Sequence, residues 1–112
     1  MKLYGLKNCD TCKKAMKALD SAGQSYTFVD IRAEAEVASL APQWLKQVDS
    51  AKLINTRSTT WRQLDEAERA KAESDPAGLL AAHPTLVKRP VIERGGDVFA
   101  GWTKDVQAAL GV

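Results

Sequence analysis

The sequence has little of what metal sites and membrane proteins need. It contains two cysteines and a single histidine, His83, whereas a structural zinc ion normally takes four ligands. We therefore expect no metal site in this chain. No apolar run approaches the roughly 18 residues of a membrane-spanning helix, and the N-terminal stretch "MKLYGLKNC" lacks the long apolar core of a signal peptide. We expect a cytoplasmic protein with no membrane partner.

The chain also lacks an excess of either charge. It has 16 basic and 14 acidic residues, for a net charge of +2. This balance gives no case for nucleic acid as a partner. A length of 112 residues with 45% hydrophobic content fits one domain with a modest core. We expect a single domain over residues 1–112 and a monomer.

The first third of the sequence predicts a strand, a helix and a second strand. Residues 2–5 form a short apolar strand that ends at a glycine. From Asp10 onward, Cys12, Ala15 and Leu19 recur at the spacing of one helix face. Residues 25–31, "SYTFVDI", are rich in β-branched and aromatic side chains, which favour a strand. The three elements predict a parallel βαβ unit with a right-handed crossover.

The middle of the chain is predicted to be helical. One helix is expected with Ser39 as its cap and Pro42 in its first turn, where proline is tolerated. Residues 55–64 have no strand or helix period and are expected to form a loop. Two more helices are predicted over 65–73 and 74–83.

The C-terminal part returns to strand patterns. Residues 90–93 and 97–101 flank Gly95-Gly96, a pair that supplies the positive φ angles of a tight hairpin turn. Thr103 then caps a last helix. The complete order predicts an α/β protein with a thioredoxin-like fold: a four-stranded mixed sheet, β-α-β then β-β-α, with a helical insertion over about residues 34–83.

The stretch "KNCDTCKKA" places Cys9 and Cys12 three residues apart where the first strand passes into the helix. In a reducing compartment such a pair is more often catalytic or metal-binding than a structural disulfide. Cys9 lies at the helix N-terminus, whose unpaired N–H groups favour a thiolate, and Lys7 and Lys13 could add positive potential. Cys12 lies one turn inside. It is either a resolving thiol or a small core residue, and the sequence leaves both open.

Two arginine-containing stretches could present donors to an anion. "NTRSTTWRQLDE" carries Arg57 and Arg62, and "VKRPV" places Arg89 directly before Pro90. The planar fork of arginine suits carboxylates and oxyanions, although each arginine could equally form a surface salt bridge, the reading we prefer for Arg62. Pro90 is the candidate for the cis proline that precedes a strand beside the active-site cysteine in thioredoxin-like folds.

The stretches "YGLKNCDTCKKA", "NTRSTTWRQLDE", "KRPVI" and "VFAGWT" together resemble the ArsC family of arsenate reductases. They are most similar to its branch of small proteins that includes YffB and the Spx regulators. The resemblance covers essentially the whole chain. It implies that Cys9 is the nucleophile and that Arg57 and Arg89 bind the substrate, with Asn8 and Thr11 in the loop that could hold an anion.

The sequence departs from the family at two points. Arsenate reductases of this type carry a third active-site arginine near the last strand, where this chain reads "DVFAGWT". Ser58 also stands where YffB-like proteins usually have glycine. The resemblance therefore implies a thiol-dependent reductase with no bound cofactor, in which glutathione is the co-substrate and glutaredoxin a candidate partner.

Two other functions stay open at this point. One is a glutaredoxin-dependent arsenate reductase. The other is an Spx-like redox-sensing regulator that binds RNA polymerase, since Spx proteins use a C-x-x-C pair as a switch. The sequence lacks the additional C-terminal segment of Spx-type proteins, which favours the reductase.

Overall fold

The computed structural model describes all 112 residues. The chain forms four strands, seven helices and one 3-10 turn. The strands are β1 (Lys2–Gly5), β2 (Thr27–Asp30), β3 (Val91–Arg94) and β4 (Asp97–Ala100), and the helices are α1 (Asp10–Ser21), α2 (Val37–Trp44), α3 (Ser50–Leu53), α4 (Thr59–Gln63), α5 (Glu66–Ser74), α6 (Pro76–Ala82) and α7 (Lys104–Leu110), with the 3-10 turn at Pro84–Leu86. No helix is both long and apolar enough to cross a membrane.

The four strands form one mixed sheet in the order β2-β1-β3-β4. β1 pairs in parallel with β2, which requires the crossover through α1, and antiparallel with β3. β3 and β4 form the predicted hairpin, whose turn residues Gly95 and Gly96 have φ angles of 57° and 91°. The predicted thioredoxin-like arrangement, β-α-β followed by β-β-α, is therefore confirmed.

Side-chain alternation along the strands divides the core into two layers. Leu3 and Ile92 lie on one face of the sheet and pack with buried residues of α1 and α7. Tyr4 and Val91 lie on the opposite face and pack with buried residues of the inserted helices, including Trp44. The insertion between β2 and β3 therefore covers a sheet face that would otherwise be exposed.

A carboxylate within the second layer joins three elements. Glu93 of β3 accepts a hydrogen bond from the Tyr4 hydroxyl (3.1 Å) and one from Trp44 Nε1 (2.8 Å). The Tyr4 and Trp44 rings meet edge to face, with centroids 5.1 Å apart. Both rings are buried, and each polar atom has a partner, as burial of a polar group requires.

The predicted start of α2 is wrong. The helix begins at Val37 after the N-cap residue Glu36, and Pro42 lies in its interior instead of its first turn. Pro42 lacks the N–H that would bond to the carbonyl of residue 38. Complete burial of Ala41 and Trp44, and near-complete burial of Val37, offsets that lost bond.

The segment predicted as a loop up to residue 64 contains a helix. α4 spans Thr59–Gln63 and is capped by Ser58, whose hydroxyl accepts from the N–H of Trp61 (3.1 Å). α3 was also missing from the prediction, and its cap is Asp49. Both helices are too short to show an apolar period, so only their caps could have indicated them.

Candidate active site

Cys9 is the N-cap residue of α1. Its backbone is extended (φ −91°, ψ 123°), its N–H donates to the Leu6 carbonyl (3.2 Å), and its carbonyl accepts from the N–H of Lys13 (2.9 Å). The side chain is half-buried and makes no capping hydrogen bond. Because Cys9 is the N-cap residue, its sulfur stands at the end of α1 where the first-turn N–H groups have no partner within the helix.

The surroundings of Cys9 favour its thiolate. Partial burial opposes ionisation, but the backbone N–H and thiol of Cys12 and the guanidinium of Arg89 outweigh it, so the pKa of Cys9 lies below its ordinary value. A lowered pKa combined with partial exposure is typical of a reactive cysteine. These surroundings suit a nucleophile, and the role of Cys9 stays a prediction.

Arg89 presents an unpaired donor at this place. Its Nη1 donates to the Thr85 carbonyl (3.1 Å), which holds one branch of the guanidinium. Its Nε is buried and has no hydrogen-bond partner in the protein. Because a buried unpaired donor is costly, an anion beside Cys9 would be stabilised there. Among charged groups, the guanidinium of Arg89 is the main one that lowers the pKa of Cys9.

The two lysines in question lie elsewhere. Lys7 Nζ lies over the Phe28 ring, 5.9 Å from its centroid, and Lys13 is exposed. Neither is among the largest causes that shift the pKa of Cys9, and their added positive potential stays a prediction. Asn8 and Thr11 are exposed in the loop and first turn around Cys9, and their side chains form no hydrogen bond within the protein. Their anion-binding role stays a prediction.

Cys12 has the opposite environment. It is completely buried, and this burial is the main cause that raises its pKa to about 12. Its sulfur lies against the backbone of β1, since a Cβ added at Gly5 would lie 2.6 Å from Cys12 Sγ. Only glycine leaves room for the sulfur at this point. A glycine inside a strand can signal such a close approach, but in the sequence Gly5 indicates only the end of the strand.

The peptide bond between Arg89 and Pro90 is cis, as expected. Pro90 is buried, and its carbonyl accepts from the N–H of Gly101 (2.9 Å). This bond joins the start of β3 to the end of β4. Arg89 is therefore held from both sides, by the 3-10 turn before it and the hairpin after it.

Arg57 lies on a segment that is tied to the backbone just before Arg89. Ile54 forms an antiparallel bridge with Val87, and the N–H of Lys88 donates to the Leu53 carbonyl (2.7 Å). The Arg57 side chain is exposed, forms no hydrogen bond or ion pair, and lines a groove of about 700 Å³ that does not include Cys9. The structure thus brings Arg89 to the thiol, and the substrate-binding role of Arg57 stays a prediction.

We predict a surface salt bridge for Arg62, but its side chain is exposed and forms none. The chain has one lysine–glutamate ion pair, Lys71–Glu68, and one histidine–glutamate contact, His83–Glu68. No three histidine, cysteine or acidic side chains lie close enough together to hold a metal ion.

The sequence matches the ArsC family over residues 4–110. The chain belongs to the ArsC family. It is 39% identical over 110 residues to an uncharacterised protein of Haemophilus influenzae, with 96% of each chain covered. These matches confirm the resemblance that the four sequence stretches predicted.

Solved structures give the same result. The chain superposes on the structure of a YffB protein with a TM-score of 0.87 and 38% identity, covering 96% of both chains. It also superposes on an arsenate reductase (ArsC) related protein of Brucella melitensis with a TM-score of 0.75 and 37% identity, covering 99% of this chain and 94% of the other. Together these relatives support a thiol-based oxidoreductase.

Proposed function

We propose that this protein is a glutathione-dependent thiol reductase in which Cys9 is the nucleophile. The observation that supports it most is the pairing of a half-buried thiol of lowered pKa with the guanidinium of Arg89, whose buried Nε is unpaired. Family membership supports the same kind of chemistry. Arg89 would hold the anionic substrate or the sulfur that leaves with negative charge.

The reaction needs two exchange steps. The Cys9 thiolate attacks the glutathione sulfur of a mixed disulfide, forms a Cys9–glutathione disulfide and releases the other sulfur as a thiolate, which takes up a proton. A second glutathione loses a proton and attacks the glutathione sulfur of that adduct. It leaves as glutathione disulfide and regenerates the Cys9 thiolate. The glutathione that was part of the mixed disulfide and the second, free glutathione together supply the two electrons, and they leave as glutathione disulfide.

Glutathione is a better candidate than Cys12 for the second step. Cys12 is completely buried and its pKa is raised to about 12, so little of it is thiolate at neutral pH. Its proton instead makes the Cys12 thiol a donor to the Cys9 sulfur, one of the groups that lower the pKa of Cys9. The protonated Cys12 thiol therefore favours the thiolate of Cys9.

Arsenate reduction is the second candidate, because an oxyanion would also pair with the free Nε of Arg89. Arsenate reductases of this family carry a third active-site arginine, which this chain lacks near its last strand. Arg94 is the last arginine of the chain, and it is used elsewhere: its Nη2 donates to the Ala109 carbonyl (2.7 Å) and its Nη1 to the Leu110 carbonyl (3.5 Å) at the end of α7. We therefore propose weak or absent arsenate reduction, because loss of one such donor typically costs about 10² to 10³ in rate.

A steady-state assay separates the candidates. The full chain is given either the mixed disulfide of glutathione and 2-mercaptoethanol, with glutathione and glutathione reductase, or arsenate with glutathione and glutaredoxin. We expect turnover of the mixed disulfide that Cys9→Ser abolishes, and little arsenate reduction. Faster arsenate than disulfide turnover would reverse the assignment. Stoichiometric binding of RNA polymerase without turnover in either assay would favour the regulator.

A further inference from the structure

The outer edge of β4 has backbone groups that no protein atom uses. β4 is an edge strand of the sheet. The N–H of Val98 points away from β3, since it donates to the side chain of Gln47 (3.0 Å). Because backbone groups along an antiparallel strand alternate in direction, the N–H and C=O of Ala100 also point outward. The N–H of Gly101 points inward, to Pro90, as this alternation requires.

Half of this edge is already occupied by a group that imitates a peptide. The side-chain amide of Gln47 accepts from the N–H of Val98 (3.0 Å) and donates to the Gly96 carbonyl (2.7 Å). A side-chain amide has the same donor and acceptor as a backbone amide. The first half of the edge therefore shows the pairing that an added strand would make, while the carbonyl of Val98 and both groups of Ala100 stay free.

The free half of the edge opens into the groove of about 700 Å³ described above. Its size is within the range of sites that hold small ligands. Val98, Phe99 and Ala100 line it together with residues of α3, the Arg57 segment and α7. β4 also has no lysine or proline that would protect an edge strand from pairing. The groove thus offers the free half of an edge strand with room beside it.

The charges of the groove select for an acidic ligand. Lys52, Arg57 and Lys88 line it, and none of them forms an ion pair. Of the two carboxylates in the lining, Asp49 is used to cap α3, where it accepts from the N–H of Ala51 (3.0 Å). The remaining one, Asp105, begins α7. Unpaired cations therefore outnumber free carboxylates in the groove.

We propose that this groove binds an extended acidic peptide segment, which adds a strand to the outer edge of β4 and places a carboxylate beside Lys52, Arg57 and Lys88. Strand addition of this kind obtains its affinity from main-chain hydrogen bonds and its specificity from side-chain contacts. The inference goes beyond the proposed reaction. It concerns how a peptide or protein is held next to the Arg89 segment and does not depend on thiol chemistry at Cys9.

The test is direct binding to the full ¹⁵N-labelled chain, followed by NMR. The probe is a short acetylated and amidated peptide of alternating threonine and glutamate, and the matched control peptide has lysine in place of glutamate. We expect the acidic peptide to shift the amide signals of Val98 to Gly101 and to slow exchange of the Ala100 N–H. The lysine peptide should bind more weakly.

Two variants examine the backbone and the charge separately. Ala100→Pro removes the outward N–H without removing a bond to β3, so it should abolish binding while the other sheet amides keep their shifts. Lys52→Gln should weaken binding by about twofold to fivefold, the usual range for an exposed charge pair. Lys104→Gln, the same change outside the groove, should have no effect. If Ala100→Pro unfolds, Lys52→Gln and the exchange of Ala100 still decide the question.

The inference is wrong if the peptide shifts no β4 amide at millimolar concentrations, or if the lysine peptide binds equally well. It is also wrong if free glutamate or glutathione gives the same shifts without slowing exchange of Ala100, because the groove would then be a site for small anions. Each of these results leaves the Cys9 assays untouched, so failure here is distinguishable from failure of the proposed reaction.

Discussion

The buried Nε of Arg89 has no hydrogen-bond partner in the protein, while the same guanidinium lowers the pKa of the Cys9 thiol. An arginine held by one branch, to the Thr85 carbonyl, thus keeps a donor for whatever negative charge forms at Cys9. When Cys9 is ionised this charge is its thiolate, and during the reaction it would be the substrate. The first prediction concerns this donor.

Replacing Arg89 should reduce binding more than stability. We expect Arg89→Ala to weaken glutathione binding by about 1.5–3 kcal/mol, the usual loss for a charged hydrogen bond, and to lower the melting temperature by only a few degrees. Calorimetry and thermal unfolding measure the two effects. Arg62→Ala is the matched control, because it removes an exposed arginine whose side chain forms no hydrogen bond or ion pair. A large loss of stability with unchanged binding would show that Arg89 is structural.

Cys12 should act on Cys9 through its proton. Cys12→Ala removes the thiol that lowers the pKa of Cys9, so we expect a higher Cys9 pKa, whereas Cys12→Ser keeps a donor and should change it less. The pH dependence of absorbance at the thiolate band, in each variant, measures this. If both variants have the wild-type Cys9 pKa, the Cys12 thiol is not a donor to the thiolate.

The Cys12 thiol should be slow to form a disulfide at neutral pH. Its pKa of about 12 makes the thiolate scarce, so glutathione disulfide should first give a Cys9–glutathione adduct. Conversion of that adduct to an intramolecular Cys9–Cys12 disulfide should accelerate as pH rises. Mass spectrometry of acid-quenched samples follows both species. An immediate, pH-independent intramolecular disulfide would make Cys12 the resolving thiol.

Gly5 should tolerate no side chain while Cys12 is present. A Cβ at Gly5 would lie 2.6 Å from Cys12 Sγ, and overpacking of this kind costs about 1–3 kcal/mol. Urea unfolding should show that loss in Gly5→Ala and a smaller loss when Cys12→Ala is added to it. If the double variant is no more stable than the sum of the two single changes predicts, contact with the sulfur is not the cause.

The Tyr4–Glu93 hydrogen bond should make stability depend on alkaline pH. Burial, and then the nearby Glu93 carboxylate, raises the pKa of Tyr4 to about 12 from an ordinary value of 10.0. The folded state therefore holds this proton more tightly than the unfolded state does. The resulting stability is complete below pH 10 and is lost as pH rises towards 12. Chemical unfolding across this range should show the loss, and Tyr4→Phe should remove its tyrosine component. An equal slope in both proteins would contradict the assignment.

Local patterns in the sequence were sufficient for the sheet but not for all of the insertion. The strands, the Gly95-Gly96 turn and the Thr103 cap of α7 follow from alternation and from turn and cap residues, which are local signals. Pro42 was misplaced because burial of Ala41 and Trp44 is a tertiary effect that the local preference of proline does not report. The short helices α3 and α4 have no apolar period at all.

The same division applies to the candidate site. The position of Cys9 at a helix N-terminus is local and was predictable from the strand–helix order. Lys7 and Lys13 are expected to add positive potential because they are neighbours of Cys9 in sequence. Only the family resemblance links Arg89 to the site, because Arg89 reaches the thiol through the pairing of β1 with β3. The contact between Gly5 and Cys12 depends in the same way on how α1 packs on the sheet.

The most direct measurement is the rate at which iodoacetamide modifies each cysteine of the wild-type chain as pH is varied, with the two sites resolved by peptide mass spectrometry. The proposed reaction requires that Cys9 reacts faster than Cys12 at neutral pH, with a midpoint below the ordinary thiol value of 9.0, while Cys12 stays slow until far above it. Equal rates, a faster Cys12, or a Cys9 midpoint at or above 9.0 would contradict Cys9 as the activated nucleophile.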